Sequence, residues 1–241
     1  MPNRLSCGVV IPAAGRGTRM DAALPKQFME LEGKSILLRS IEHFQSSPEV
    51  DWIVIPAARE DIGKVEETVR ACRLSKVSVV QGGEKRQDSV WNGIQALKNR
   101  DPGIVLIHDA VRPFITQQLI QSLLLELADH DSAIVAVPVK ETTKLADEQQ
   151  IVTSTPDRKF LWNVQTPQAF RFPVLLRAYE AAYSERYYST DDAGLVERIG
   201  GKVKIVPGSY DNIKITTPED FELARLIVRR TTQASAPVDS L

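Results

Sequence analysis

Cysteine, histidine and long apolar runs are scarce in this chain. Its 241 residues include 2 cysteines and 3 histidines, and neither type recurs at the spacing of a zinc site or a disulfide framework. Cys7 and Cys72 are therefore predicted to be reduced thiols in the core. No apolar run approaches the roughly 18 residues that a membrane-spanning helix needs. The first residues carry no signal or transit pattern, so we expect a cytoplasmic protein that does not bind membranes.

An excess of charge of one sign is also missing. Lys and Arg number 30 against 31 Asp and Glu, which gives a formal net charge of −1. Proteins that bind nucleic acids usually carry a broad basic field, so this balance argues against that function. Any site for an anionic ligand must then be built locally. With 43% apolar residues, the composition is otherwise that of an ordinary globular protein.

Short apolar runs alternate with amphipathic segments through the first 140 residues. The apolar runs predict strands at residues 9–11, 52–56, 77–80, 104–107 and 134–137. The amphipathic segments predict helices at residues 35–44, 61–72, 87–97 and 117–129. Strict alternation of this kind predicts an α/β fold with a doubly wound, mostly parallel, Rossmann-like sheet. Ligands of such sheets bind at the carboxyl ends of the strands.

The alternation stops at residues 140–165. Apolar residues flank a polar turn at residues 147–150, and this pattern predicts a projecting β-hairpin. A lone hairpin is marginally stable in water and needs a surface to pack on. It either folds back on its own domain or forms an arm that contacts a second subunit.

The rest of the chain is predicted to return to the same domain. We expect a strand at 161–164, helices at 173–183 and 190–199, and short strands at 203–206 and 213–215. A last helix is expected to begin at Thr217-Pro218, where a capping residue precedes a first-turn proline. Residues 1–230 are thus predicted to be one domain that carries the 140–165 arm. A disordered tail is expected at 231–241.

The most informative stretch is the loop that follows the first strand. The strand ends at Pro12, and residues 13–17 read Ala-Ala-Gly-Arg-Gly, with few side chains to hold a ligand away. Backbone N–H groups of such loops bind anions. Arg16, Arg19 and Lys26 add three cations nearby. We therefore predict a phosphate-binding loop.

This loop fits neither of two common phosphate-binding patterns. Gly15-x-Gly17-x-x-Met20 has two glycines of the dinucleotide fingerprint, but Met20 takes the place of the third small residue. No Gly-Lys-Ser/Thr follows at the spacing of a P-loop. The plain alternative is an ordinary strand-to-helix turn with arginines on the surface.

The same stretch resembles a known family. Pro12-Ala13-Ala14-Gly15-x-Gly17-x-Arg19-Met20, followed by Pro25-Lys26-Gln27-Phe28, is similar to the signature of cytidylyltransferases that act on sugar-alcohol phosphates, in particular 2-C-methyl-D-erythritol 4-phosphate. Further blocks extend the resemblance over roughly residues 8–222. They are Gly82-Gly83-x-x-Arg86-x-Asp88-Ser89-Val90, His108-Asp109-Ala110-x-Arg112-Pro113, Thr166-Pro167-Gln168, Thr190-Asp191-Asp192 and Asp211-Asn212-Ile213-Lys214.

The resemblance implies a nucleotidyltransferase reaction and a set of site residues. The phosphate of the acceptor attacks the α-phosphorus of CTP and expels pyrophosphate. Arg19 and Lys26 match the family's transition-state stabilisers. The positions implied to bind the nucleotide are Pro12, Ala13, Ala14, Gly15, Gly17, Gly83, Ser89, Asp109 and Ala110. Those implied to bind methylerythritol phosphate are Arg112, Thr142, Arg158, Thr166, Thr190, Asp211 and Lys214.

A metal ion and a second subunit are implied as well. Mg²⁺ is expected to be held mainly by CTP, since magnesium usually keeps few protein ligands. Asp109 and Asp211 are the carboxylates expected near it. The resemblance also favours a homodimer formed through the 140–165 arm, in which Thr142 and Arg158 reach the acceptor phosphate bound to the partner subunit.

Three other functions stay open. A ribitol 5-phosphate cytidylyltransferase would share nearly the same nucleotide half. A hexose-phosphate nucleotidyltransferase is disfavoured by the blocks at 166–168 and 211–214. A non-catalytic nucleotide-binding module is disfavoured because a binding protein needs no cations for a transition state, yet Arg19 and Lys26 are present.

Overall fold

The computed structural model describes residues 4–15 and 24–234. Its strands are β1 (Cys7–Val10), β2 (Glu30–Leu31), β3 (Lys34–Ser35), β4 (Trp52–Ala57), β5 (Val77–Gln81), β6 (Ile104–Ile107), β7 (Ser132–Pro138), β8 (Leu145–Ala146), β9 (Val152–Ser154), β10 (Trp162–Arg171) and β11 (Val203–Pro207). Its α-helices are α1 (Ile36–Gln45), α2 (Ile62–Ala71), α3 (Arg86–Lys98), α4 (Gln117–Glu126), α5 (Phe172–Ser184), α6 (Ala193–Arg198) and α7 (Pro218–Ala234).

In this part of the chain, seven strands form the central sheet, in the order β11–β7–β10–β6–β1–β4–β5. Neighbours pair in parallel except at β10, which runs antiparallel to both β6 and β7. The predicted doubly wound, mostly parallel α/β sheet is confirmed. Because β1 and β6 are adjacent, the loops after these two strands emerge side by side at one edge.

Helices cover the sheet on both faces because successive side chains of each strand point in opposite directions. Val9 and Leu106 belong to one apolar cluster, which they share with α1, α2 and α4. Val10 and Val105 belong to the other, shared with α3, α5 and α6. All four side chains are fully buried, so the short strands have the uniformly apolar character typical of a covered parallel sheet.

Residues 140–165 contain the predicted hairpin. β8 and β9 pair antiparallel, and both strands are exposed along their whole length. The hairpin leaves and rejoins the sheet at one point, where the Val139 N–H donates to the Leu161 carbonyl over 3.0 Å. Large apolar side chains on it face solvent in the single chain, including Phe160, which is 73% exposed.

One strand was predicted too short and another was predicted wrongly. The strand expected at 161–164 continues to Arg171, because the polar side chains of Gln165, Thr166 and Gln168 are buried there and hydrogen-bonded to residues far away in sequence. Conversely, residues 213–215 form no strand. The apolar side chain of Ile215 packs beneath α7, and its N–H donates to the Val111 carbonyl over 2.9 Å.

Two smaller expectations also need correction. Cys7 is buried, but Cys72 is exposed just after the end of α2, so only one of the two thiols lies in the core. Residues 231–234 belong to α7, although they were predicted as part of a disordered tail. The remainder of that tail, 235–241, lies outside the described residues. Every helix in the described ranges is too short or too polar to cross a membrane.

Candidate active site

Loops from three parallel strands enclose a recess at the carboxyl edge of the sheet. They follow β1, β5 and β6, and the space between them, which is open to solvent, is about 630 Å³. We call it the first recess. Its lining residues are Pro12, Ala13, Ala14, Gly15, Lys26, Gln27, Gly83, Glu84, Lys85, Arg86, Ser89, Asp109, Ala110, Val111 and Lys214.

The loop after β1 is held by the side chain of Gln27 on one side and by close packing against Gly82 on the other. The Gln27 amide, almost fully buried, donates to the carbonyls of Ala13 at 2.8 Å and Gly15 at 3.1 Å. On the other side, a Cβ at Gly82 would lie 2.5 Å from the Cβ of Ala14, so only glycine allows the two loops to approach this closely. Small residues therefore shape the recess while Gln27 fixes its floor.

Of the residues predicted for this loop, several line the recess and three do not belong to the part of the chain that the structure describes. Pro12, Ala13, Ala14, Gly15 and Lys26 all line it, as do Gly83, Ser89, Asp109 and Ala110 from the neighbouring loops. Gly17 and Arg19, with Arg16, lie outside the described residues. Their roles stay predictions.

Asp109 lies at the back of the recess among three cations. Its carboxylate is 3.2 Å from Arg86 Nε, 3.3 Å from Arg112 Nε and 2.9 Å from Lys214 Nζ. Burial alone would raise the pKa of this carboxyl, but Arg86, Lys214 and Arg112 outweigh it and hold the pKa well below its usual range. The cluster therefore keeps a permanent anion and an excess of positive charge.

Arg86 extends the cluster to a second carboxylate. Its guanidinium lies 2.8 Å from Asp192, which is buried and accepts a 2.5 Å hydrogen bond from the Tyr179 hydroxyl. Burial would lower the pKa of Arg86, yet Asp192 and Asp109 together raise it. The resemblance blocks contain both residues, but neither was predicted as a site residue. Two adjacent acids before a helix are commonly cap residues, and Asp191 is one, since its carboxylate accepts from the Gly194 N–H at 3.0 Å.

A chain of hydrogen bonds fixes the backbone behind Asp109. The Asp109 N–H donates to the Thr166 hydroxyl over 3.0 Å, and that hydroxyl lies 3.1 Å from His108 Nδ1. His108 Nε2 lies 3.0 Å from the Arg112 carbonyl, which only accepts, so the ring proton is assigned to Nε2. Burial lowers the pKa of His108 to about 3. The histidine is thus a neutral structural link and not an acid or base.

A second recess of about 780 Å³ adjoins the first. The two share Arg86, Asp109 and Lys214, so these three residues form the wall between them. Of the residues predicted to bind the acceptor, four line the second recess: Arg112, Thr166, Thr190 and Lys214. Its other lining residues are Val164, Gln165, Gln168, Asp191 and Glu197.

Three predicted acceptor residues lie elsewhere in the single chain. Thr142 and Arg158 are exposed on the arm, where Arg158 donates to the Lys140 carbonyl at 2.7 Å. Asp211 lines neither recess, and its carboxylate pairs with Arg230. In the described residues no three His, Cys, Asp or Glu side chains are grouped as a metal site would require. The metal role of Asp211 therefore has no support from its position.

Comparison with known proteins identifies the family. The family model for IspD, 2-C-methyl-D-erythritol 4-phosphate cytidylyltransferase, matches residues 7–230. The chain belongs to this family. Cytidylyltransferases of that name from Symbiobacterium thermophilum and Geobacter metallireducens are each 47% identical, over 91% of this chain and 92% and 96% of their own lengths. The solved 4-diphosphocytidyl-2C-methyl-D-erythritol synthase of Anaerococcus prevotii is 31% identical, with a TM-score of 0.84, 94% of this chain covered and 97% of that chain.

Family membership decides between the main functions that the sequence left open. The chain is a CTP-dependent cytidylyltransferase of the methylerythritol phosphate pathway to isoprenoids, rather than a binding module. A cytidylyltransferase must hold a nucleotide beside an acceptor, and two recesses with a common cationic wall fit that need.

Proposed function

We propose that cytidylyl transfer from CTP to 2-C-methyl-D-erythritol 4-phosphate takes place at the wall that the two recesses share. CTP occupies the first recess, and the acceptor occupies the second. The observation that carries this assignment is the position of Arg86, Asp109 and Lys214, each of which lines both recesses. A phosphate entering from the second recess then meets the α-phosphate of CTP beside Lys214.

The reaction needs positioning and charge neutralisation more than a base. An oxygen of the acceptor phosphate forms a bond to the α-phosphorus, the bond from that phosphorus to the bridging β-oxygen breaks, and pyrophosphate leaves. A phosphate oxyanion is already nucleophilic at neutral pH, in keeping with the neutral, fully buried His108. Lys26 and Arg19 would stabilise the charge that grows on the α-phosphate and the leaving group.

The rest of the first recess suits a small base. Ser89 and Gly83 lie together, with the Gly83 N–H donating to the Ser89 hydroxyl at 3.1 Å. We assign these two residues to recognition of cytosine, because a pocket of this kind excludes a purine by size and distinguishes bases by hydrogen bonds. The backbone of Pro12 to Gly15 and Ala110 would contact the remainder of the nucleotide.

Mg²⁺ fits this site as an ion carried by CTP. Both oxygens of Asp109 are already engaged by cations, and Glu84 is the other carboxylate that lines the first recess. This donor set suits an ion held mainly by the triphosphate, toward which Asp109 would contribute a carboxylate. When bound, the ion would neutralise phosphate charge. Asp211 as a ligand stays a prediction.

The arm would complete the acceptor site in a homodimer. Leu145, Ile151, Val152 and Phe160 expose apolar surface on the hairpin that a monomer would leave in water. Thr142 and Arg158 lie on the same arm and would reach the acceptor phosphate in the partner's second recess. Residues 1–230 would then act as one catalytic domain. The cytoplasmic location stays a prediction from the sequence.

Pyrophosphate release tests the proposal. The enzyme is supplied with CTP, Mg²⁺ and either 2-C-methyl-D-erythritol 4-phosphate, ribitol 5-phosphate or no acceptor. Release with methylerythritol phosphate alone is the expected result. Preferential release with ribitol phosphate would keep the two-recess assignment but replace the acceptor. Absence of release with either acceptor, in protein that still binds CTP, would contradict the proposed reaction.

A further inference from the structure

The first turn of α3 connects the two recesses. Residues 83–86, directly before and at the start of this helix, line the first recess. The next two residues, Gln87 and Asp88, line neither recess and instead bond to the segment 187–192 between α5 and α6. This segment supplies Thr190 and Asp191 to the second recess. We propose that Gln87 is a positioning residue that holds Thr190 and Asp191 in place for the acceptor phosphate.

Gln87 forms hydrogen bonds to the backbone of the segment on both sides of Tyr188. Its amide nitrogen donates to the Tyr187 carbonyl over 3.0 Å, and its amide oxygen accepts from the Ser189 N–H over 2.9 Å. The residue is 6% exposed, so water does not replace these bonds readily. Only a side chain with one donor and one acceptor in this arrangement satisfies both contacts, and a primary amide of this length does so.

Asp88 reinforces the same attachment. One carboxylate oxygen accepts from the Tyr183 hydroxyl at 2.7 Å and from the Tyr188 hydroxyl at 3.2 Å. The other accepts from the Lys85 N–H at 3.1 Å, which ties it to the first recess. The Lys85 ammonium also lies 3.5 Å from the centre of the Tyr188 ring. The upstream part of the segment is thus fixed to residues that border the nucleotide.

Gln168 holds the downstream end. Its amide donates to the Asp191 carboxylate over 2.7 Å and accepts from the Ala193 N–H over 3.0 Å. Thr190 therefore lies between two amide anchors, one on α3 and one on β10. Gln168 lines the second recess and would touch a ligand there, whereas Gln87 does not. A substitution of Gln87 consequently tests the position of the segment without removing a contact to either substrate.

The matched experiment compares Gln87→Glu with Asn92→Asp. Both changes convert an amide on α3 into an acid, and both remove a donor from a backbone carbonyl, because Asn92 donates to the Gln81 carbonyl at 3.0 Å. In Gln87→Glu, a carboxylate oxygen faces the Tyr187 carbonyl and repels it. Steady-state kinetics are measured with each substrate varied in turn, using the polyol phosphate that the unmutated enzyme consumes. Thermal unfolding of each variant is recorded alongside.

For Gln87→Glu we expect the KM for the acceptor to rise about tenfold, while the KM for CTP stays within about twofold. Asn92→Asp should change neither KM by more than about twofold. If Gln87→Glu fails to fold, Tyr188→Phe replaces it in the experiment. This change removes only the exposed hydrogen bond from the Tyr188 hydroxyl to Asp88, and we expect it to raise the KM for the acceptor about threefold.

Two results would overturn the positioning role. One is an unchanged acceptor KM in folded Gln87→Glu or Tyr188→Phe protein. The other is an equal rise in both KM values, which would show general loosening of the site. The role rests on the proposed function, since it takes the second recess as the acceptor site. Failure of that function appears separately, as absence of turnover by the unmutated enzyme with any acceptor, and would overturn both.

Discussion

Single residues in this site act through charges and protons that burial controls. Asp109 is buried beside Arg86, Arg112 and Lys214, and together they form one anion among three cations. Removing the buried carboxylate from such a group leaves the surrounding cations less compensated, which costs more than one ion pair itself contributes. His108, by contrast, is buried in its neutral form, because the hydrogen bonds around the ring suit that form.

Replacement of Asp109 by Asn should destabilise the protein and reduce its activity. The change keeps the shape but deprives Arg112 and Lys214 of this counterion, while Arg86 keeps Asp192, so we expect the free energy of unfolding to fall by about 3 kcal/mol at pH 7. The pKa of Asp109 is lower in the folded state than in the unfolded chain. The contribution of the Asp109 carboxylate to the free energy of unfolding is therefore fully present above about pH 4 and is lost as the pH falls further. Urea unfolding at pH 7 and pH 3.5 measures both effects, with Asp129→Asn, an exposed acid, as the control. A variant as stable as the unmutated protein at pH 7 would contradict this account.

His108 should make stability depend on pH in a higher range. In the unfolded chain the imidazole protonates near pH 6.5, but in the folded protein its pKa is about 3. Stability is then fully present above pH 6.5 and declines as the pH falls toward 3, by about 2 kcal/mol between pH 7 and pH 5. His108→Gln should remove this part of the decline in stability, whereas His130→Gln, four residues beyond α4, serves as the control and should leave it. Equal slopes for His108→Gln and the unmutated protein in urea unfolding would refute the assignment.

At the scale of elements, α3 approaches the sheet more closely than a side chain permits. A Cβ at Gly93 would lie 2.5 Å from Val10 Cγ1 and 3.1 Å from Pro56 Cγ, on the neighbouring strands β1 and β4. The position of α3 matters because its first turn carries Arg86 and Gln87. Helix-to-sheet distance and site geometry are thus set by the same contact.

Two glycine-to-alanine substitutions should have opposite effects. Alanine favours a helix over glycine by about 1 kcal/mol. At Gly63 on α2 nothing lies within 4 Å of the added carbon, so Gly63→Ala should stabilise by nearly that amount. At Gly93 the clash should reverse the sign and cost about 2 kcal/mol overall. Thermal and urea unfolding check both variants, and a stabilised Gly93→Ala protein would mean that α3 shifts freely on the sheet.

The elements differed in how well their sequences predicted them. Val9 and Leu106 lie in uninterrupted apolar runs, so β1 and β6 were predicted to within a residue or two. The second half of β10 was missed because Gln165, Thr166 and Gln168 are polar residues that resemble a turn. They can be buried because each forms a hydrogen bond with a distant residue: Gln165 donates to the Ser209 carbonyl, and Thr166 and Gln168 accept from backbone N–H groups.

The same distinction applies to the site. The loop after β1 was found because small residues and cations are adjacent in sequence, and Lys26 and Lys214 were found through motifs. The bond from Gln87 to Tyr187 joins residues 100 positions apart and leaves no local pattern. Asp192 was missed because two acids before a helix are usually cap residues, and its burial against Arg86 depends on how α5 and α6 pack.

At the scale of the whole molecule, the exposed apolar surface of the arm leads us to predict that each active site is shared between two subunits. Mixing Lys26→Ala protein with Arg158→Ala protein should then restore activity, because one site in each mixed dimer receives an intact Lys26 and an intact partner arm. Random exchange of subunits makes about half of the dimers mixed, and each mixed dimer has one complete site of its two, so the mixture should recover about a quarter of the unmutated activity. As a control, Lys26→Ala mixed with Lys214→Ala should restore none, since both defects lie in the subunit that binds the substrates. Without recovery in the first mixture, the arm does not complete its partner's site.

The continuity of β10 limits where chains built on this plan can gain or lose residues. The strand begins at the base of the arm and ends beyond the second recess, and it pairs with β6 and β7 on both sides from Gln168 to Phe170. One residue inserted there would turn Gln168 toward the opposite face of the sheet and carry Asp191 away with it. The exposed turn at 147–150 has no such constraint, because a longer loop costs little. Insertions and deletions among relatives should therefore accumulate at the tip of the hairpin and be rare within 168–170.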